Sequence, residues 1–182
     1  MTQSSTRQRY LDLSSGSEPV ESCLLPSLAE HLASELCLGS ITSVQEALTW
    51  MRSTFLYQRM ATNPARYRLS KAATPAAIEE HCRGIALAHL LQLHRLRCVE
   101  MSLPAPAAPS AGDGSASIDE PAVVTPYRPE STVDLRAHER TLQLRSTPLT
   151  AIVSRHYLRL ATFGIFMRIP PTATLVQALE HL

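Results

Sequence analysis

The feature that most constrains this chain is an interruption. From Leu103 to about Pro129 the sequence runs through proline, alanine, serine and glycine, punctuated by Asp113, Asp119 and Glu120. Such a run carries too little apolar surface to offset its own ordering, so a disordered insertion is expected over residues 103–134. One core built from all 182 residues is thereby excluded. Apolar elements on the two sides must find each other across the gap.

Charge excludes further classes. The formal net charge is +1, too small for a protein that binds nucleic acid wholesale, so any such contact must be local. Sixteen of the seventeen basic residues are arginine and one is Lys71. Met1 to Tyr10 is polar, without the apolar stretch of a signal peptide. Cys23, Cys37, Cys82 and Cys98 stand far apart and read as small buried hydrophobes of a reducing compartment. The most apolar stretch, Tyr157 to Met167, is too short for a bilayer and contains Arg159.

Before the interruption the signals are helical. Met1 to Pro19 reads as an extended lead-in. Pro26 suits a first helical turn, Leu28, Leu32 and Leu36 follow at i, i+4 spacing, and Gly39 supplies a left-handed end. Ser43 and Glu46 match a capping box. The pattern after them predicts one helix through Met60, with Val44, Ala47, Leu48, Met51, Phe55 and Met60 on one face. Trp50, Thr54 and Tyr57 lie on a second face, which predicts a helix covered on both sides. Asn63-Pro64 stops it. A third helix starts at Thr74-Pro75 and carries Ile78, Cys82, Ile85 and Ala86 toward Leu90 to Leu93. Leu28, Leu32, Leu48, Met51, Phe55, Ile85 and Leu90 are expected to form one core.

Two short strands are predicted, Leu96 to Met101 and Thr141 to Leu144, pairing across the insertion. Three helices followed by a two-stranded hairpin is the order of a winged-helix module. A fourth helix is predicted from Thr147 through Ile152, Tyr157, Leu160 and Phe163. Pro170-Pro171 ends it, and Thr174 to Leu182 begins a further amphipathic turn.

Catalytic motifs are missing. Lys71 follows Ser70, so no GxxxxGK[ST] loop exists, and HExxH, GxSxG and GxGxxG are absent too. Asp119-Glu120 follows no apolar strand and is rejected as a nucleotide site. His81, Cys82, His89, His94 and Cys98 point around a helix instead of converging, which disfavours zinc. His156 has neither serine nor carboxylate at motif spacing. No catalytic residue, metal or cofactor is therefore expected. The densest basic spot is His94-Arg95-Leu96-Arg97, where the third helix meets the wing. Arg95 and Arg97 are the candidate nucleic-acid contacts; the competing reading is a solvated turn. Arg52 and Arg59 are expected to snorkel or to pair with carboxylates.

The ordered segments resemble a known family. Glu18-Pro19-Val20-Glu21-Ser22-Cys23-Leu24, Leu28-Ala29-Glu30-His31-Leu32 and Ser34-Glu35-Leu36-Cys37-Leu38-Gly39 are similar to the stretch that follows the second RecA-like motor domain of large superfamily-two helicases. Ala47-Leu48-Thr49-Trp50 and Thr54-Phe55-Leu56-Tyr57-Gln58-Arg59-Met60, through Asn63-Pro64-Ala65-Arg66-Tyr67, resemble the same family's winged-helix core. The E-P-V-E-S lead-in is most similar to the meiotic crossover DNA helicase branch. Thr147-Pro148-Leu149, Ile152 to Leu158, Thr162 and Phe166 resemble the opening of the sec sixty-three-like helical domain, usually T-x-L-G-R-x-x-S-x-Y-Y. Thr150 and Ala151 stand where that pattern has glycine and arginine, and His156 replaces a tyrosine.

The resemblance implies a mainly α chain. Residues 1–22 would be an extended lead-in from a motor domain. Residues 23–146 would be a winged-helix domain of three helices and a hairpin wing, and 147–182 the start of the ratchet-like helical domain. It implies an excised middle without its own ATPase, a nuclear protein whose partners are RecA-like motor domains and DNA, with no membrane association. The function implied is a non-catalytic accessory segment bridging motor and ratchet in DNA unwinding. The alternative is a free-standing winged-helix module that binds nucleic acid or protein.

Overall fold

The computed structural model describes residues 4–17, 19–104, 124–170, 172–174 and 176–177. The first element, α1 (Ser4–Ser14), corrects the expectation of an extended lead-in over 1–22. Its arginines, glutamine and leucines are good helix formers. Gln8 donates to Asp12 Oδ1 one turn on, at 2.9 Å, and Gly16 at φ 73° closes the end. The helix buries no residue.

A 3₁₀ turn at Leu25–Ser27 contains Pro26 and leads into α2 (Leu28–Leu38), which ends at Gly39 with φ 77°. Leu28, Ala29, Leu32, Ala33 and Leu36 are buried along one stripe. Ser43 caps α3 (Val44–Arg52) by accepting from Glu46 N, and the Glu46 carboxylate reaches back to Thr42 N and Oγ1 at 2.6 and 2.8 Å.

The single helix expected over Ser43 to Met60 is two, α3 and α4 (Phe55–Thr62). Ser53 Oγ and Thr54 Oγ1 donate to Trp50 O and Met51 O at 2.7 and 2.6 Å, competing with the backbone for those carbonyls. Thr54 turns extended and caps α4 by accepting from Tyr57 N. The break shifts the helical phase. Leu56 enters the core at 1% exposure, and Phe55, expected there, is 52% exposed.

A second 3₁₀ turn, Pro64–Tyr67, precedes α5 (Pro75–Arg95), capped by Thr74. α5 is the central helix and buries Ile78, Cys82, Ala86, Leu87, Leu90, Leu91 and Leu93; Ile85 is half-buried instead of fully in the core. It runs into β1 (Val99–Pro104), the middle of a three-stranded antiparallel sheet with β2 (Val124–Tyr127) and β3 (Gln143–Ser146), in the order β2-β1-β3. The expected pairing is present, with Met101 opposite Leu144 and Val99 opposite Ser146. On the far side of β3, Leu144 N donates to Thr42 O at 2.7 Å, so the α2–α3 connection completes the sheet.

β2 and α6 (Thr132–Ala137) correct the disordered reading of 103–134. Pro126 is tolerated because β2 is an edge strand. Ser131 and Asp134 form a full capping box, Tyr127 Oη donates to Asp134 O at 3.0 Å, and Leu135 is fully buried. The remainder of the expected insertion, residues 105–123, lies outside the described residues.

The predicted fourth helix is likewise two, α7 (Pro148–Arg155) and α8 (Leu160–Phe166). α7 lies against α2, with Ser154 Oγ 3.2 Å from Ser34 Oγ, and Glu30 Oε1 accepts from Leu160 N at 3.0 Å to cap α8. Val153, Leu160 and Phe163 join the same core as Leu28 and Leu90. No helix among the described residues is long and apolar enough to cross a membrane.

Candidate nucleic-acid interface

Arg95 sits in the last turn of α5, where the helix dipole favours cations. Its Nη2 donates to Glu130 O at 3.1 Å, so part of its donor capacity goes to the loop before α6. Arg97 holds a left-handed backbone at φ 57°, the position after a helix end that glycine usually takes. Cys98 N returns to Leu93 O at 2.9 Å and closes the turn. Both arginines are exposed, and the Arg97 carbonyl accepts from Thr147 Oγ1 at 2.7 Å. Just before them, His94 is held by Nδ1 against Val99 O at 3.0 Å.

The structure adds an arginine the sequence reading did not single out. Arg168 and Arg95 flank an open groove of about 340 Å³ between α5 and α8, floored by Ala88, Leu96, Ala161 and Gly164. Helix spacing on either element alone could not reveal this pairing, because the two are distant in sequence. A second hollow, about 520 Å³, has Arg140 and Arg145 along it but also Glu46. In the sheet register Arg145 stands opposite Glu100.

Four arginines inside helices, Arg52, Arg59, Arg83 and Arg136, pair with carboxylates. Arg52 meets Glu79 at 3.2 Å on the surface. Arg59 donates Nε and Nη2 to Glu21 at 3.2 and 3.0 Å. Asn63 Nδ2 and Tyr67 Oη also donate to Glu21, at 2.8 and 2.9 Å, and Tyr67 Oη accepts from Ser22 N. These donors, Arg59 first, hold the Glu21 carboxyl down at about 2, far below its usual value. Arg83 pairs with Glu80 and Glu139, Arg136 pairs with Glu80, and Gln45 donates to Glu139 at 2.8 Å, tying α3, α5 and α6 together.

Cys82 and Cys98 are buried, and burial pushes both thiols up to about 11. Cys23 is exposed, which departs from the buried reading. Among the described residues no three His, Cys, Asp or Glu side chains gather as a metal-binding group. What this surface offers a ligand is charge and shape.

Residues 21–102 match the model of the winged helix-turn-helix domain family. The chain is 40% identical over 101 residues to a probable ATP-dependent DNA helicase HFM1 of Xenopus tropicalis, covering 56% of this chain and 8% of that protein. It is 34% identical over 99 residues to the ATP-dependent DNA helicase homolog MER3 of Arabidopsis thaliana, covering 54% and 9%. Over 64 residues it is 45% identical to the human activating signal cointegrator 1 complex subunit 3, covering 35% and 3%. The chain thus spans under a tenth of the length of these relatives. Residues 21–102 are thus similar to a winged helix-turn-helix domain, and about a hundred residues of the chain are similar to part of ATP-dependent DNA helicases.

Proposed function

We propose that this chain is a non-catalytic accessory segment of a nuclear, ATP-dependent DNA helicase of the meiotic crossover type, joining motor domains to a ratchet-like helical domain that opens at Thr147. The observation that carries the reading is the seating of α7 and α8 on the winged-helix core. Thr147 N donates to Cys98 O at 3.2 Å, the buried Thr150 hydroxyl donates to the same carbonyl, and Glu30 caps α8. At the other end Glu21 locks the incoming chain to Arg59, Asn63 and Tyr67. A segment that bridges two domains must be rigid at both junctions, and these networks supply that.

The test is co-purification of the chain with the paired RecA-like motor domains of a relative. Co-elution, with faster DNA-dependent ATP turnover by the motor and none by the chain alone, supports the reading. Separate elution at micromolar concentration, or ATP turnover by the pure chain, sinks it. The second reading, a free-standing nucleic-acid binder, is favoured by the exposed Arg97 side chain, which has no partner among the described residues. It predicts duplex binding that weakens steeply with salt and is reduced in Arg97→Gln.

A further inference from the structure

α7 ends in an unusual way. Leu158 N donates to Val153 O at 3.0 Å and Tyr157 N approaches Ser154 O at 3.4 Å, the paired bonds of a closing turn whose left-handed residue is most often glycine. Here that residue is Tyr157, at φ 51°. A side chain with a Cβ is disfavoured at this φ, so the fold bears a cost for which its own packing gives no return. The ring is 94% exposed, the most exposed large hydrophobic side chain among the described residues.

Its surroundings are cationic. Arg155, His156 and Arg159 flank the ring in sequence, are all exposed, and have no side-chain partner among the described residues. From Arg140 to Leu179 the sequence contains Arg140, Arg145, Arg155, Arg159 and Arg168 and no Asp or Glu, although the whole chain is nearly neutral. Glu30, which reaches this corner from α2, directs its Oε1 to Leu160 N.

A protruding aromatic ring beside the unpaired cations Arg155 and Arg159 suits a ligand that offers flat π-faces alternating with negative charges. We infer that the α7–α8 corner binds single-stranded nucleic acid, one base stacking on Tyr157 while Arg155, His156 and Arg159 meet the neighbouring phosphates. Duplex is the poorer ligand because its base faces are already stacked within the helix. This site is separate from Arg95 and Arg97, and it rests on the reading above only in the choice of a nucleic acid as the ligand.

Glycine suits φ 51°, so Tyr157→Gly removes the ring without harming the fold. The experiment measures fluorescence anisotropy of a labelled oligothymidylate, and of a duplex of equal length, with the full chain. Wild type is expected to prefer the single strand. Tyr157→Gly should weaken that binding about tenfold, as for loss of one stacked base, with an unchanged or raised Tm. Tyr157→Phe should bind as wild type. Arg155→Gln with Arg159→Gln should flatten the salt dependence by about 0.7 per lost phosphate contact. Equal binding by Tyr157→Gly and wild type, or a preference for duplex, overturns the inference. So does a fall in Tm for Tyr157→Gly, which would mean the ring is a packing residue. A chain that co-elutes with motor domains yet ignores the oligonucleotide refutes this site and leaves the accessory function standing.

Discussion

Glu21 and Arg59 meet through two parallel hydrogen bonds, and both side chains are largely shielded, 22% and 14% exposed. The pair joins the extended approach to the winged-helix domain with the middle of α4. The planar guanidinium fork matches the carboxylate, a geometry lysine could not reproduce. Asn63 and Tyr67 complete the acceptor's shell, so this acid stays ionised across most of the pH range.

Stability should therefore depend on acid in a defined window. Glu21 has a folded value of about 2 against an ordinary 4.5. Its contribution is complete above the ordinary value and is lost as pH falls from there toward 2. Glu46 and Asp134, also held low by their capping hydrogen bonds, add to the same slope. Urea unfolding at stepped pH should show stability falling through this window, and Glu21→Gln should be less stable than wild type at neutral pH and show a shallower decline. An unaltered slope in the variant would remove Glu21 from this account.

The Thr150 hydroxyl is fully buried, donating to Cys98 O and accepting from Thr147 N at 3.1 Å. Thr150→Val keeps the shape and leaves the Thr147 amide with a poorer partner. The expected loss is about 1–3 kcal/mol in chemical denaturation, the cost of breaking buried hydrogen bonds. A loss within error would show that the α7 junction does not depend on this hydroxyl.

Adjacent residues at the start of α4 should behave oppositely. Leu56→Ala empties a buried position and should cost about 2–5 kcal/mol. Phe55→Ala truncates a half-exposed ring and should cost under about 1 kcal/mol. Denaturation midpoints for the two variants decide it; a larger loss for Phe55→Ala would restore an unbroken helix from Ser43 to Met60.

Thiol chemistry should separate the cysteines. Exposed Cys23 should react with a disulfide reagent in the native protein, while Cys82 and Cys98, buried and pushed up to about 11, should react only on unfolding. Rapid native labelling of Cys98 would mean that the β1 end of the core is open.

Caps and breakers were readable in the sequence because their cause is local. Gly39, the Ser43–Glu46 pair, Thr74-Pro75 and the Thr147 start each act within four residues, and each ends or begins a helix as its chemistry requires. The pairing of two short apolar runs was legible in part: Val99 to Ser102 pairs with Gln143 to Ser146, near the expected runs, while the segment between them supplies the third strand that the sequence did not reveal. Arg95 and Arg97 were correctly placed at the helix–wing turn, but the partner of Arg95, the Glu130 carbonyl, was not visible in the sequence.

What the sequence by itself determined is the helical class, the starts of α3, α5 and α7 and most of the buried stripes, since these follow from periodicity and capping. What only the tertiary structure decided lies at places where two weak local signals meet a distant partner. Ser53 and Thr54 break a periodic helix because Leu56, and not Phe55, fits the core. Val124–Tyr127 becomes a strand, despite its proline, because β1 supplies an edge and Asp134 holds Tyr127. α7 and α8 part at Tyr157 because Glu30, 130 positions earlier than Leu160, waits to cap the second helix. Each choice costs little locally and is settled by burial or a hydrogen bond across the fold, energies that a linear reading of neighbours does not contain.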